Sequence, residues 1–352
     1  MSAHGWTLVE TLEPGRLGVV ARDHQARERT SLDRVVQDRI ASGRAPAREA
    51  TEWLETLITE MRTHPEMAAS ERVLRNGQTV HARLVPVIGP GKVLHGVHVW
   101  LGNDAARPER EPVSAFAFTW DSRERLAEIP GLTNGSDRSS LTAPEIFRFL
   151  EPVDGLALIR ALLSPEPAAS WSGAVTTTVG EQKRPGHVVM VAQLPDRWRG
   201  LLFETSQSAA AMSLEAAALA AIPRMSQVHM ALVDLAKMRL LRWITDPLPE
   251  VQWKGQVDNR DTPHPDDVQR IFASAAETFA GRTESSVVNG IRLRRRGGGW
   301  VVVDGSGAIV RGGDDGPALA LIQMRLVGYS DEPDPVSPTD NGHPGLDAVD
   351  EN

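Results

Sequence analysis

Three histidines with the chemistry of metal ligands lie close together in the first third of this 352-residue chain, at His81, His95 and His98. Imidazole is a common ligand of transition metals. On a strand, however, residues three apart point to opposite faces, so only one of His95 and His98 can join His81. We therefore expect core or surface histidines here and no metal site.

A second group with chemical potential is a run of arginines, Arg292, Arg294, Arg295 and Arg296, followed directly by three glycines. Guanidinium groups beside such backbone can form an anion-binding patch. Strand alternation places Arg292, Arg294 and Arg296 on one face. We expect a solvent-exposed face, which the acidic C-terminal segment could neutralise, rather than a ligand site.

Signatures of common enzymes are absent from the sequence. There is no phosphate-binding loop with Lys-Ser/Thr, no dinucleotide glycine pattern after a strand, no nucleophile elbow and no His-Glu-x-x-His helix. The absence of cysteine excludes disulfides, thiolate nucleophiles, iron–sulfur clusters and Cys-based zinc sites. We predict a protein that is not an enzyme, with no catalytic residues, no cofactor and no bound metal.

One short run is similar to part of an enzyme signature. Gly312-Gly313-Asp314-Asp315 resembles the Gly-Gly-Asp-Glu-Phe motif of cyclic-dinucleotide cyclases. The region around it, residues 226–330, is too short for the palm domain of those enzymes. We interpret the run as a turn.

The charge of the chain is concentrated at its C-terminal end. The formal net charge is -8, and residues 331–352 hold seven acids with no Lys or Arg, which leaves -1 on the remainder. A nearly neutral body argues against nucleic acid as a partner. With four prolines, residues 331–352 have the composition of a disordered acidic tail.

Length and hydropathy indicate a multidomain protein without a membrane span. The length of 352 residues fits two or three domains. No run reaches 18 apolar residues, and the first residues have neither a basic start nor an apolar signal core. We expect a cytoplasmic protein.

The elements that would position any site follow one order three times. In the centre, two predicted strands (AFAFTWD and RERLAEIPG) precede a helical middle (PEIFRFLEPVDGLALIRALL) and three strand-like runs (WSGAVTTTVG, HVVMVAQLP and RWRGLLFET). Similar patterns begin near Trp6 and Val228, which lie 110 and 112 residues from Phe116. This equal spacing suggests duplication.

The order of two strands, helices and three strands resembles that of PAS sensory domains. The resemblance is carried by EIFRFL at Glu145 to Leu150, the acidic turn at Asp154 and the helix IRALL at Ile159 to Leu163. Photosensing members hold flavin through a Cys just before an RFL segment, and this chain has no Cys. Haem-binding members usually place a His on the helix, whereas His187 lies on a predicted strand.

The resemblance implies an α+β protein of three tandem PAS/GAF-like domains, each an antiparallel sheet with helices on one face. We place an N-terminal PAS/GAF-like domain at 1–105, a central PAS domain at 113–206 and a C-terminal PAS/GAF-like domain at 226–330. The layout resembles the three-domain PAS-containing proteins of mycobacteria and related actinobacteria, which lack an output domain.

Two further predictions concern the joints and turns. Residues 207–225 are Ala-rich and predict a connecting helix whose apolar residues point to nearly all sides, which favours burial between domains or in a homodimer. In the C-terminal domain we predict a helix from Pro265 to Phe279. Turns are predicted at Gly297-Gly298-Gly299 and at Asp304-Gly305.

In PAS domains the ligand lies between the helical face and the sheet. Carried onto this sequence, that pocket would use six residues: Phe118, Phe149, Ile159, Val175, Met190 and Leu202. All six are apolar, so a ligand should be apolar or partly so; a filled core is equally compatible with them.

The resulting functional hypothesis is a non-catalytic sensory protein that binds a small apolar ligand and signals through a partner protein. Two alternatives remain open. One is an interaction scaffold with filled cores and no ligand, and the other is an enzyme of unrecognised class.

Overall fold

A computed structural model describes residues 5–335 apart from 41–42, 67–68, 104–107, 109, 131–139, 164–168, 180–181, 195, 207–227, 236, 238, 259 and 311–318. The predicted connecting helix at 207–225, the Gly-Gly-Asp-Asp run at 312–315 and the tail from 336 onward lie outside the described residues. The chain divides into two compact units, Met1–Leu214 and Glu215–Arg311 with Ala318–Asn352.

The N-terminal sheet has six antiparallel strands in the order β3-β2-β1-β6-β5-β4. Its strands are β1 Thr7–Glu10, β2 Gly18–Arg22, β3 Gln25–Thr30, β4 Ala69–Val73, β5 Thr79–Ile88 and β6 Leu94–Gly102. Helices α1 Leu32–Arg39 and α2 Arg44–Glu60 lie between β3 and β4. Their apolar stripes, with Val36, Leu54 and Ile58 fully buried, pack against Val9 and Val97 of the sheet.

The central sheet has seven antiparallel strands in the order β10-β11-β12-β13-β7-β8-β9. Its strands are β7 Ala115–Asp121, β8 Leu126–Glu128, β9 Leu141–Thr142, β10 Leu150–Pro152, β11 Ser170–Val179, β12 Gln182–Leu194 and β13 Arg197–Glu204. Helices α3 Ala143–Phe149 and α4 Gly155–Leu163 flank β10.

The N-terminal and central sheets pack face to face within the first unit. Leu8 and Val20 from one sheet share an apolar core with Val189, Leu201 and Phe203 from the other. Because side chains alternate along a strand, the intervening residues point away from this core. In the N-terminal sheet they meet α1 and α2, and in the central sheet they meet α3 and α4. The first unit is therefore built of four layers, with helices outside and two sheets inside.

A glycine allows the two sheets to approach closely. A Cβ placed on Gly96 in β6 would lie 2.9 Å from Leu201 Cδ1 and 3.1 Å from the Val9 carbonyl oxygen. Leu201 is fully buried, so it has little room to move aside. The small residue at this position is therefore part of the packing between the sheets.

The second unit contains a five-stranded antiparallel sheet in the order β15-β14-β18-β17-β16. Its strands are β14 His229–Asp234, β15 Arg239–Trp243, β16 Ser286–Arg294, β17 Trp300–Val310 and β18 Leu319–Ser330. Helix α5 Pro265–Phe279 covers part of this sheet, with Ile271 packed against the core of Val301, Val303 and Met324.

The prediction of an α+β protein with three antiparallel sheets is confirmed. If the first two strands and the last three strands of each sheet are numbered 1 to 5 in chain order, all three sheets contain the order 2-1-5-4-3. The predicted bounds of β7 and α5 also agree with the structure. Pro265 occupies the first turn of α5, where its missing N–H costs no hydrogen bond.

Two local predictions differ from the structure. The predicted turn at Asp304-Gly305 is wrong, because β17 continues through both residues to Val310 and pairs with β16 and β18. The Asp304 carboxylate accepts a hydrogen bond from Gly290 N at a bulge in β16 and so fits within the sheet. Strand β3 was not predicted, because its sequence QARERT is an edge strand with little apolar character.

We predict that Leu201→Ala lowers the free energy of unfolding by about 2 to 5 kcal/mol, because it opens a cavity between two packed sheets. The exposed Val153, truncated to Ala, is the matched control and should change it by less than about 0.5 kcal/mol. Urea denaturation measures both. An equal, small effect of the two substitutions would contradict the face-to-face packing.

Candidate functional site

An apolar cavity of about 50 Å³ lies between the central sheet and its helices. It is lined by apolar side chains from β7, β8, α3, α4, β12 and β13 and the residues next to them: Phe118, Trp120, Ala127, Ile129, Ile146, Phe147, Leu150, Leu158, Leu162, Val188, Met190 and Leu202. The polar atom of Trp120 is satisfied, because its indole Nε1 donates to the Leu162 carbonyl at 3.1 Å. The wall therefore offers shape and apolar contact.

Local sequence signals hold the two helices over this cavity. Helix α3 begins with a capping box, in which Thr142 N donates to Glu145 Oε2 at 2.8 Å. The Asp154 carboxylate accepts from Ala157 N at 2.9 Å in the first turn of α4. On the sheet, the ring of Phe118 lies over Gly200, where a Cβ would be 2.2 Å from the ring. Glycine at 200 is thus required for Phe118 to lie across β13.

Three of the six predicted pocket residues line the cavity, namely Phe118, Met190 and Leu202. The other three do not. Phe149 comes two residues after Phe147, and a turn of about 200° on the helix carries it away from the lining. Ile159 is buried, but it is rotated by about 100° from the cavity-lining Leu158.

The third residue, Val175, lies on the correct face of the sheet but too far along it. It pairs with Gly186, two residues before the lining residue Val188. The lining residues that sequence reasoning missed include Leu158 and Leu162. Their spacing of four residues on α4 was the available signal for a shared helix face.

A second, polar cleft of about 430 Å³ lies between β3 and strands β11 and β12 within the first unit. Ser172 Oγ and His187 Nε2 lie 2.8 Å apart in it, and burial lowers the pKa of His187. Such a pair can exchange a proton, but nucleophilic catalysis needs the base to be oriented by a third group. Among the described residues, no hydrogen bond joins His187 to a carboxylate.

The wall of the polar cleft contains a buried ion pair. Glu10 is fully buried, accepts from Leu12 N at 2.8 Å and pairs with Arg29. Burial raises the pKa of Glu10, and the Leu12 amide and Arg29 offset this only in part. Because Arg29 is also bound to Glu13 at 2.9 Å, its guanidinium is directed at protein carboxylates.

The three histidines considered as metal ligands do not form a cluster. His95 and His98 are buried in the first unit, whereas His81 lies on β5 beside Glu71 at 3.4 Å. His95 Nδ1 donates to the Gly200 carbonyl at 3.0 Å, and Arg199 Nε faces its Nε2 at 3.4 Å. In the described part of the chain, no three His, Asp or Glu side chains are grouped as metal ligands.

Both buried histidines are held neutral. Burial lowers the pKa of His95 to about 4, and the neighbouring Arg199 adds to this while the Gly200 hydrogen bond opposes it. Burial also lowers the pKa of His98 to about 4. The His98 ring meets Trp6 edge to face at 6.4 Å, and its Nδ1 has no hydrogen-bond partner among the described residues.

Of the arginines expected on a solvent-exposed face, Arg296 is exposed, whereas Arg292 and Arg294 are largely covered by the protein. Arg292 Nε donates to the buried Asp267 at 2.9 Å, and Arg294 lies over the Trp300 ring at 5.1 Å with little exposure. Burial opposes ionisation of Asp267, but hydrogen bonds from Arg292 and Arg270 outweigh it and hold the pKa of Asp267 below its usual value. Asp267 on α5 therefore neutralises part of the positive charge of these arginines, a role that we expected of the acidic C-terminal segment.

Together, the described residues define an α+β protein with three antiparallel sheets of like strand order and an apolar cavity against the central sheet. Residues 5–109 match the model of the Rv3651-like N-terminal domain, and residues 215–333 match that of the Rv3651-like C-terminal domain. The chain thus carries both domains of the Rv3651-like family.

Among solved structures, the chain is similar to that of an uncharacterized protein from Mycobacterium tuberculosis, with a TM-score of 0.70 and 20% identity over 92% of this chain and 96% of that chain. This confirms the expected mycobacterial likeness at the level of fold. An RNA-binding light-oxygen-voltage receptor matches at 11% identity over 61% of this chain and 96% of that chain, but its TM-score of 0.22 carries no argument. No curated protein matches this chain.

Among the described residues, no helix is both long and apolar enough to cross a membrane. The same residues show no resident metal cluster.

We predict that acid destabilises the first unit between about pH 6.5 and pH 4. The unfolded chain binds protons at His98 below its ordinary pKa of about 6.5, whereas the folded chain does so only near 4, so stability falls as the pH falls. At pH 5, His98 alone should account for about 2 kcal/mol. Urea denaturation at pH 7 and pH 5 measures this loss.

The matched variants are His98→Phe, which keeps an aromatic ring, and the exposed His64→Gln. The loss between pH 7 and pH 5 should shrink by about 2 kcal/mol in His98→Phe and stay unchanged in His64→Gln. An unchanged loss in His98→Phe would mean that His98 is readily protonated in the folded chain.

We predict that Met190→Ala lowers the free energy of unfolding by about 2 to 5 kcal/mol, because it enlarges an existing cavity. Truncation of the exposed Leu156 on α4 to Ala is the control for loss of an apolar side chain near the same site. Thermal and urea denaturation measure both. If Met190→Ala costs no more than Leu156→Ala, the packing around the cavity is looser than the structure indicates.

Proposed function

We propose that this chain is a non-catalytic sensory protein that binds a small apolar ligand in the cavity of its central domain and signals through a partner protein. The observation that carries the proposal is the apolar cavity itself. Trp120 in its wall already donates its indole N–H to the Leu162 carbonyl, so the wall presents apolar surface to a ligand. Small-molecule sites are typically concave and lined mostly by apolar side chains. The strand order 2-1-5-4-3 in all three sheets supports the assignment to PAS-like domains.

The volume of the cavity limits the ligand. An engineered apolar cavity of about 150 Å³ holds benzene, so a cavity of about 50 Å³ admits only a few heavy atoms unless the helices move. The proposed ligand is therefore a very small apolar molecule, or a narrow apolar group that enters as α3 and α4 shift.

Strand alternation offers a route for the signal. Leu202 lines the cavity, while Leu201 and Phe203 on either side of it belong to the core shared with the N-terminal sheet. The same alternation relates Met190 to Val189 on β12. A ligand that displaces these strands would alter the packing of the N-terminal sheet. Coupling energies of this kind are about 1 to 3 kcal/mol.

A second candidate function is an interaction scaffold with filled cores and no ligand. The small cavity volume favours it, because close-packed interiors still contain a few voids larger than a water molecule. The two candidates differ in what filling the cavity does. Ala127 lines the cavity and is buried, so Ala127→Val adds two methyl groups there.

Native mass spectrometry of the protein purified from its own host is the primary test. Under the sensory proposal, a small apolar molecule should be retained by the wild type and by Leu156→Ala, and lost in Ala127→Val. Retention of no molecule, with an unchanged or raised melting temperature in Ala127→Val, would favour the scaffold instead. A molecule retained equally by wild type and Ala127→Val would place the ligand elsewhere.

A further inference from the structure

The segment that follows the last strand of the second unit is bound to the arginines. We name residues 331–335 the acidic strap, and the side chains of Arg260, Arg292 and Arg294 the arginine cluster. Arg292 Nη1 donates to Glu332 Oε2 at 2.7 Å, and Arg260 Nη1 donates to Asp334 Oδ2 at 2.8 Å. Arg294 also pairs with Asp334. The predicted acidic tail therefore does not leave the domain at Asp331.

The strap also makes a contact through its backbone. Trp300 is almost fully buried, and its indole Nε1 donates to the Glu332 carbonyl at 2.9 Å. Arg294, whose side chain is 10% exposed, lies between the Trp300 ring and Asp334. The three guanidinium groups of the cluster thus bind the carboxylates of Glu332 and Asp334, which are two residues apart. The Trp300 indole beside them binds the backbone carbonyl of Glu332.

The cluster is held in place by groups other than the strap. The buried Asp267 on α5 accepts from both the backbone N and the side-chain Nε of Arg292, each at 2.9 Å. Asp258 accepts from Arg260 Nε at 2.9 Å. Arg292 and Arg294 therefore belong to strand β16, whereas the strap follows β18 as irregular chain and is the part that can leave.

We propose that the arginine cluster is a docking site for an extended acidic segment of a partner protein, and that the acidic strap occupies this site in cis. The site would recognise a segment that has two acidic residues separated by one residue. Their two carboxylates would bind the arginines, and the backbone carbonyl of the first acidic residue would bind the Trp300 indole. Guanidinium groups suit carboxylates because their donors are planar and paired. The proposal does not depend on the apolar cavity and names the chemistry of the partner, not of the ligand.

Because the strap occupies the arginine cluster in cis, it reduces the binding of a partner segment to the same site. A tethered segment has an effective concentration of the order of millimolar, so a partner segment of equal affinity must compete against it. Weakening the strap should therefore raise the apparent affinity for an acidic peptide in trans. This gain is expected only if the strap occupies the arginine cluster reversibly.

The test uses the full chain and a labelled peptide with the sequence of residues 329–336, YSDEPDPV. Fluorescence anisotropy should show at least about tenfold tighter binding to Glu332→Gln/Asp334→Asn than to wild type. The same peptide with Gln and Asn at the two acidic positions should not bind, and binding should weaken with added salt. Asp331→Asn, which removes a charge beside the cluster, is the matched control and should bind as wild type does.

Three results would overturn the proposal. They are equal peptide binding to wild type and to the folded double variant, no binding to the folded double variant, and equal binding of the neutral peptide. If the double variant does not fold, hydrogen exchange on the wild type decides. Millimolar acidic peptide should then speed exchange at residues 331–335 as it displaces the strap, and unchanged exchange there would refute docking at this site.

Discussion

Burial of the central sheet on both faces is the constraint on which the first unit depends. One face packs against the N-terminal sheet through Leu201 and Phe203, and the other packs against α3 and α4 through Met190 and Leu202. A sheet buried on both faces has no solvent layer to absorb a change in packing. Strands β12 and β13 therefore contribute to both the cavity and the contact between the sheets, and a change in packing on one face alters the packing on the other.

Polar groups buried between the two sheets make the packing of the sheets depend on pH. His95 must stay neutral, because it donates to the Gly200 carbonyl while Arg199 faces its second nitrogen. A proton there would place two cations side by side in a buried layer, which is costly. The apolar packing that joins the two sheets thus also makes their contact sensitive to acid.

The second unit is organised around a buried carboxylate. Asp267 joins helix α5 to strand β16 through three hydrogen bonds with Arg292, one from its backbone and two from its guanidinium. Arg270 also donates to Asp267, at 2.8 Å, so the buried carboxylate is shared between two guanidinium groups. Arg292 then reaches Glu332, so the anchor of the helix is also the anchor of the acidic strap.

The sequence by itself predicted most of the order of elements, because strand alternation and helical spacing are local. The bounds of β7 and α5 and the three antiparallel sheets were predicted, whereas the edge strand β3 was not. It also indicated that any pocket would be apolar.

Only the tertiary structure decided which faces of α3 and α4 meet the sheet. The cavity is therefore lined by residues such as Phe147 and Leu158, and not by Phe149, Ile159 and Val175. It also decided that β17 passes through Asp304-Gly305 and that Glu332 and Asp334 bind the arginines. These features rest on contacts between residues distant in sequence, such as the pair Arg292 and Glu332, which no local pattern encodes.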